Sequence, residues 1–368
     1  MKFRVEQSEL SKGLEKVLNV VPQRATFPIL SNILMVVSNG KLLLAGTDLD
    51  ISVTTKIEAQ VDEEGGVTVS GRRMGEIVKE LPPGEIQITV VKEKVTVESG
   101  KGSYQLMGMA KEDFPELPEA SKKRVMTFDA KTLHRSIEKT TFAVSMDEMR
   151  PALSGALWQI RPEEMRVVAT DGHRLAFLKI ARNFKTEETE VNIPPKALNH
   201  LDRLVGDAEE VEVRFEENRI GFYFGQTAIT ARLIEGEFPD YEQVIPKGND
   251  KVVHIERDAL VSALRRISIF SNPNTHLFRL GLRKNRIELL SSSPDIGEGK
   301  EECPCKYEGE DLDVGYNALY LLGILRRIDS EEVILSLSTP LTAGLIAPSV
   351  QKNGEELLYL LMPVRLMD

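Results

Sequence analysis

Cysteine and tryptophan are almost missing from this sequence of 368 residues, which contains two cysteines and one tryptophan. The cysteines, Cys303 and Cys305, stand one residue apart, a poor spacing for a structural disulfide, and predict free thiols in a reducing compartment. Two cysteines cannot hold a metal alone. Near Asp171 and His173, no second histidine or carboxylate stands at ligand spacing, and no nucleophile motif is present. We therefore expect no metal, no cofactor and no catalytic residue.

Motifs for nucleotide binding and membrane insertion are also missing. No Gly-x-x-x-x-Gly-Lys-Ser/Thr run is present to hold phosphates, and the five histidines are scattered. No stretch approaches the roughly 18 apolar residues of a membrane helix. The first residues, from Met1 to Glu6, lack the apolar run of a signal peptide. These absences predict a non-enzymatic protein of the cytoplasm that does not enter membranes.

The sequence repeats itself with a period of about 123 residues. Residues 28–34 match 151–157 at an offset of 123, and Thr47-Asp48 matches Thr170-Asp171 at the same offset. Phe114-Pro115 matches Phe238-Pro239 at an offset of 124. Three matches at nearly one offset are unlikely by chance. A third, weaker copy is visible in the apolar pair Leu260 and Leu264. A period of this size indicates duplicated domains, and we predict their bounds as 1–121, 122–248 and 249–368.

Each copy has the pattern of an α+β domain with two helices and antiparallel strands. A short strand, such as 3–5, precedes an amphipathic helix for which Ser8 is a plausible N-cap. A second helix is predicted near 71–80, 195–205 and 317–328. Alternating segments such as 41–45 and 166–169 predict strands, and turn residues such as Pro82-Pro83-Gly84 separate them.

Charge is distributed unevenly between the predicted helices and the rest of the chain. The formal net charge of −10 alone argues against binding nucleic acid. Yet the six predicted helices together carry 15 basic and 7 acidic residues, whereas the rest of the chain carries 32 basic and 50 acidic residues. These helices are predicted at 8–21, 71–80, 131–144, 195–205, 257–268 and 317–328. A shared surface of these helices would attract phosphate. Helix propensity also favours Lys and Arg, but it favours Glu as much and does not explain the sign.

Four segments carry a resemblance to a known family: 24–30, 169–176, 238–241 and 362–366. Together with the threefold repeat and the length, they resemble the bacterial DNA polymerase sliding clamps over the whole chain. The resemblance implies the DNA clamp fold in a head-to-tail homodimer, a ring of six domains with helices lining the hole. It also implies a processivity factor that encircles duplex DNA without sequence specificity, near the nucleoid, and that needs an ATP-driven loader.

The resemblance also implies three sets of site residues. A pocket for the peptides of polymerases and other clamp-binding proteins would use Leu153, Thr170, Gly172, His173, Arg174, Leu175, Pro239, Val244, Asn317, Tyr320, Leu360, Met362, Pro363, Val364, Arg365 and Leu366. The DNA-facing set takes Arg24 from the family motif and the others from the helix charge pattern: Arg72, Arg73, Lys196, Arg203, Arg265, Arg266, Arg326 and Arg327. The dimer interface would use Tyr104, Leu106, Ile269 and Phe270.

Three alternatives compete with these expectations. The segment Thr170 to Arg174 also fits a simple strand-ending turn, with Asp171 capping and Gly172 at positive φ. The whole chain could instead be an acidic protein-interaction scaffold that does not encircle DNA. An enzyme using Asp171 and His173 is the least supported, because none of the expected partner groups is present.

Overall fold

A computed structural model describes residues 1–22, 24, 26–184 and 188–366. Ala25 of the family-like segment 24–30 therefore lies outside the described residues. The described residues contain six α-helices: α1 (Gln7–Leu18), α2 (Gly71–Glu80), α3 (Ala130–Thr140), α4 (Pro195–Leu204), α5 (Arg257–Ser268) and α6 (Ala318–Leu325). None of them is long and apolar enough to cross a membrane.

Strands make up most of each repeat. Between residues 1 and 121 they are β1 (Lys2–Glu6), β2 (Asn32–Ser38), β3 (Lys41–Thr47), β4 (Ile51–Glu58), β5 (Gln60–Glu63), β6 (Gly65–Ser70), β7 (Glu85–Val91), β8 (Lys94–Ser99) and β9 (Gly102–Met109). Between 122 and 248 they are β10 (Val125–Asp129), β11 (Ala156–Ile160), β12 (Glu164–Thr170), β13 (Arg174–Ala181), β14 (Thr189–Ile193), β15 (Glu210–Phe215), β16 (Arg219–Phe224) and β17 (Thr227–Arg232). From 249 onward they are β18 (Lys251–Glu256), β19 (Leu277–Arg283), β20 (Arg286–Ser293), β21 (Gly297–Lys306), β22 (Leu312–Asn317), β23 (Glu332–Leu337), β24 (Gly344–Pro348) and β25 (Glu355–Leu361).

The predicted α+β repeat is confirmed, because each copy contains two helices and strands that pair antiparallel. The predicted N-cap of α1 is wrong. The helix begins at Gln7 with Glu6 at the N-cap, and no side chain caps it. Strand β1 runs directly into the helix, and the Gln7 amide instead donates to the Gly84 carbonyl at 2.8 Å. A turn distant in sequence thus replaces the local cap.

Helix α6 is shorter than predicted. Asn317 is its N-cap, and the helix ends at Leu325 with Arg326 at the C-cap. Arg326 and Arg327 therefore lie beyond the helix, so α6 itself carries no charge. The helices as observed contain 13 basic and 7 acidic residues, which keeps the positive surplus but reduces it.

The first compact unit contains residues 1–134 and 196–233. Its strands form one sheet in the order β10-β15-β16-β17-β4-β3-β2-β6-β9-β8-β7-β1-β5. Strand β17 of the second copy pairs with β4 of the first, and Thr230 stands opposite Ser52. The core is apolar, with Phe3, Leu10 and Val69 fully buried.

The second compact unit contains residues 135–195 and 234–368. Its described strands form one sheet in the order β14-β11-β12-β13-β25-β24-β23-β18-β21-β20-β19-β22. Here β25 of the third copy pairs with β13 of the second, which is the same kind of join as β17 with β4. Trp158 and Tyr359 are fully buried in this unit.

Candidate functional site

The join between β13 and β25 places apolar residues from two copies together. Leu175 stands opposite Leu360, and both are buried in a cluster with Leu153. At the corresponding join of the first unit the facing pair is Ser52 and Thr230, which are polar. Repetition of the chain therefore creates two similar joins, but only the second carries a leucine pair.

The segment Thr170 to Arg174 forms the turn that leads into β13. The Asp171 carboxylate accepts hydrogen bonds from the amides of His173 and Arg174, both at 2.9 Å. The amide of Gly172 donates to Thr170 Oγ1 at 3.1 Å, and Gly172 has a φ of 86°. The strand-ending turn predicted from the sequence is therefore present, and it brings His173 and Arg174 to the edge of the leucine pair.

The first copy contains the same turn with the same hydrogen bonds. Asp48 accepts from the amides of Asp50 and Ile51, and Leu49 donates to Thr47 Oγ1. Leu49 has a φ of 83°, a conformation that glycine adopts more easily than leucine. The turn is thus a property of the repeat, while its histidine and arginine belong to the second copy alone.

The N-terminus of α6 forms one wall beside this turn. The Asn317 side chain accepts from the amides of Leu319 and Tyr320, so it acts as a helix cap. The Tyr320 ring stacks on His173 with centroids 6.2 Å apart. The Arg174 guanidinium lies 4.6 Å from the centre of the same Tyr320 ring.

The last described residues form the rim. The amide of Met362 donates to the His173 carbonyl at 2.8 Å, and Val364 forms an antiparallel bridge with Gly315. Met362 and Val364 remain exposed, and so does Val244 after the buried Tyr241. We call the buried Leu153, Leu175 and Leu360 with the exposed Val244, Met362 and Val364 the apolar site. The remaining pocket candidates lie on the same segments, Pro239 and Arg365 exposed and Pro363 and Leu366 half-buried.

Several residues of this region were not singled out from the sequence. Phe177, Phe238, Tyr241 and Ala343 belong to the same buried cluster as the leucines. Tyr241 donates its hydroxyl hydrogen to Gln159 at 2.7 Å, and burial raises the pKa of the phenol. Phe238 and Tyr241 stand in the family-like segment 238–241, and that segment was the available signal. Ala343 had none, because a small apolar residue gives no pattern.

The nine candidate DNA-facing residues divide into two groups. Four are exposed and form no ion pair with any residue that the structure describes: Arg24, Arg73, Arg265 and Arg326. The other five are already engaged. Arg72 pairs with Glu76, Lys196 with Asp48, and Arg266 with Glu301, while Arg203 lies 2.8 Å from His200 Nδ1 and Arg327 lies over Phe142.

Other features of the structure give less indication of a functional site than the apolar site does. A cleft of about 570 Å³ in the first unit is lined by both acidic and basic side chains, such as Glu9, Lys12 and Glu58. Cys303 and Cys305 are free thiols, and burial raises the pKa of Cys305 to about 11. Among the described residues no group of three or more His, Cys, Asp or Glu is arranged to hold a metal.

Three family models match successive parts of the chain. They are the N-terminal, central and C-terminal domains of the DNA polymerase III beta subunit, which match residues 1–118, 127–240 and 242–365. The chain belongs to the DNA polymerase III beta subunit family. The family resemblance found in the sequence is therefore confirmed, and so is the clamp fold.

Individual family members are similar over their full length. The chain is 34% identical to the beta sliding clamp of Pseudomonas putida and 32% identical to that of Escherichia coli K12, with all of both chains covered. The crystal structure of the sliding clamp of Bartonella birtlesii bound to griselimycin has a TM-score of 0.95 at 34% identity, again with full coverage. The predicted domain bounds of 121 and 248 stay predictions.

Proposed function

We propose that this chain is a sliding clamp: two copies close into a ring around duplex DNA and hold polymerases and other proteins by a peptide bound in the apolar site. The observation that carries the proposal is the leucine pair of the β13–β25 join beside the exposed rim of Val244, Met362 and Val364. Apolar surface next to a few fixed polar groups suits a short peptide with Leu or Phe anchors. The clamp has no chemistry of its own in this proposal.

Tethering follows from the closed ring. A protein held by the clamp stays at high local concentration near the primer end, so a peptide affinity of roughly micromolar strength is sufficient. A closed ring cannot thread onto circular DNA, so a loader that uses ATP must open it. We place this activity at the nucleoid in the cytoplasm.

Retention on DNA tests the encirclement. Clamp loaded onto nicked circular DNA, with loader and ATP, should remain bound in high salt and be lost when the circle is cut. Equal retention on circular and linear DNA would indicate ordinary surface binding. No association with either form would favour the acidic scaffold.

The apolar site is tested by Met362→Asp. Met362 is 39% exposed, so the fold should tolerate a carboxylate there, but a bound peptide would strip water from that charge. We expect the affinity for a Leu- and Phe-containing peptide to fall about 30- to 100-fold, equivalent to about 2 to 3 kcal/mol. Isothermal titration calorimetry measures this. Val350→Asp is the control, because Val350 is 74% exposed and lies outside the apolar site.

The homodimer is supported by two strand edges. In the described chain, β9 pairs with β8 along its length but with β6 only at Gly108 and Met109. Strand β21 pairs with β20 but meets β18 only at its last two residues. Open edges of this kind pair readily with another strand. We propose that β9 of one copy pairs with β21 of the other, with Tyr104 and Leu106 facing Ile269 and Phe270.

Ile269→Asp should convert the dimer into a monomer. Ile269 is 67% exposed, and Phe270 lies against Gly299 of β21, where an added Cβ would be only 2.6 Å from the ring. A carboxylate buried at the interface without a partner should weaken the dimer about 100-fold or more. Analytical ultracentrifugation at micromolar concentration measures the shift. A variant that stays as dimeric as Val350→Asp would exclude this interface.

A further inference from the structure

Five side chains of the second unit form a layered stack that begins at the apolar site. His173 stacks on Tyr320, with the two rings inclined by 22°. Arg174 covers the Tyr320 ring at 4.6 Å and the Phe142 ring at 5.1 Å. Arg327 then lies over the Phe142 ring at 5.3 Å. From Tyr320 onward aromatic rings and cations thus alternate, an arrangement that the ring quadrupole favours.

Phe142 holds Arg174 by its backbone as well as by its ring. The Phe142 carbonyl accepts a hydrogen bond from Arg174 Nη2 at 2.9 Å, and Asp171 accepts one from Arg174 Nε at 3.1 Å. Phe142 is in turn fixed by an edge contact with the buried ring of Tyr359, with centroids 5.8 Å apart. The guanidinium therefore has little freedom to turn toward a bound peptide.

Gly323 provides the space in which this arginine lies. It stands in α6 one turn after Tyr320, and a Cβ at this position would be 3.2 Å from Arg174 Nη1. Glycine within a helix costs about 1 kcal/mol relative to alanine. The glycine therefore lowers helix stability and leaves room for the guanidinium.

We propose that Phe142 and Gly323 are positioning residues of the peptide site, which orient Arg174 and through it the Tyr320 wall that contacts the peptide. This inference rests on the proposed peptide-binding function. In this arrangement Arg174 acts chiefly as a spacer between two rings and less as a donor to the peptide. Neither Phe142 nor Gly323 carries a sequence signal for this role.

Substitution of Phe142 tests the stack. Phe142→Leu keeps an apolar side chain but removes the ring face, and we expect peptide affinity to fall about fivefold. Phe142→Tyr keeps the face and should bind within about twofold of the native chain. Arg174→Lys should weaken peptide binding about as much as Phe142→Leu does. The double variant of Phe142→Leu and Arg174→Lys should bind the peptide no more weakly than either single variant, because both changes act through one stack.

Gly323→Ala separates positioning from stability. The added methyl group favours α6 by about 1 kcal/mol, which offsets the cost of displacing the nearby Arg174, so the melting temperature should stay close to that of the native chain. The displaced guanidinium should weaken peptide binding about threefold. Tyr223→Leu is the control, since it removes a comparable arginine–aromatic contact from the first unit, where Arg214 lies 3.7 Å from the ring. It should leave peptide affinity unchanged.

The outcomes distinguish this inference from the function on which it rests. If the native chain does not bind the Leu- and Phe-containing peptide, the peptide-binding proposal itself fails. If the native chain binds but Phe142→Leu and Gly323→Ala bind equally well, only the positioning role is excluded. If Phe142→Leu does not fold, the test rests on Gly323→Ala, Arg174→Lys and the double variant that combines them. Losses of peptide affinity that add up in this double variant would contradict the positioning role.

Discussion

Neutralising the four unpaired arginines is expected to abolish loading onto DNA. The four are Arg24, Arg73, Arg265 and Arg326, each exposed and without an ion pair in the described part of the chain. Each free guanidinium can release counterions when it meets a phosphate, and each such contact contributes about −0.9 to the slope of log K against log salt. Replacing all four with alanine should flatten that slope by about 3 to 4.

A matched set with the same change in net charge is the control. It consists of Arg72, Lys196, Arg203 and Arg266, which lie beside Glu76, Asp48, His200 and Glu301. Three of these charges are already compensated. Burial and the nearby Arg203 and Lys196 lower the pKa of His200 to about 4, so at neutral pH this uncharged ring accepts a hydrogen bond from Arg203. A phosphate would have to displace these partners, so the slope should change by less than half as much.

The salt slope is measured by equilibrium binding to duplex DNA without loader at several salt concentrations. Loading is measured separately, with loader and ATP on nicked circular DNA. Circular dichroism of both variants checks that the fold is intact. Equal changes of the salt slope in the two sets would mean that total charge drives the association with DNA and that the individual arginines make no specific contacts.

Repetition made the fold predictable, because three copies of one pattern reinforce each other. The two helices of each copy and the turn at Asp171 follow from residues adjacent in sequence. The start of α1 did not, since its first amide is bound by Gly84, which is more than seventy residues away. The end of α6 was also misplaced, because the chain continues to turn as far as Ile328. After Arg326, however, the amides of Arg327 and Ile328 donate to the carbonyl three residues back, and the α-helical pattern of four residues ends.

The candidate site was predictable where it lies in segments that resemble the family. Leu175 lies in such a segment, Leu153 lies in the repeated segment 151–157, and Leu360 lies two residues before the segment 362–366. The structure places the three leucines in one cluster. The stack around Phe142 was not predictable. Its members come from three separate segments, and the contact between a ring and a guanidinium depends on tertiary geometry that no periodic pattern encodes. The distant partners of Lys196 and Arg266 were hidden for the same reason, whereas Glu76 lies only four residues from Arg72.

Asp329→Ala is expected to lower the free energy of unfolding by about 2 to 3 kcal/mol. The cause is Lys139 of α3, whose side chain is only 1% exposed and whose Nζ lies 2.6 Å from Asp329. Removing the carboxylate leaves a buried ammonium with Glu138, at 3.2 Å, as its remaining acidic neighbour. The cost is below that of a fully buried pair because Asp329 itself is 60% exposed.

Lys139→Met provides the matched control. It removes the buried charge and keeps a side chain of similar length, so we expect a change of less than about 1 kcal/mol. Asp329 would still pair with Arg135, at 2.7 Å. The double variant should be more stable than Asp329→Ala alone, since no unpaired ammonium remains. A double variant that is less stable than Asp329→Ala would contradict this explanation.

The pair of Asp329 and Lys139 also predicts how the free energy of unfolding depends on pH. Partial burial alone would raise the pKa of Asp329, but hydrogen bonds from Arg135 and Lys139 outweigh it, so the pKa is lowered from its ordinary 3.8. A lowered carboxylate pKa stabilises the folded state above the ordinary value, and this contribution is lost as the pH falls through the folded value. Urea unfolding should therefore show a constant gap between the native chain and Asp329→Ala above roughly pH 5, closing below the ordinary value. A gap that widened in acid would mean that the Asp329 carboxylate is not the group that stabilises Lys139.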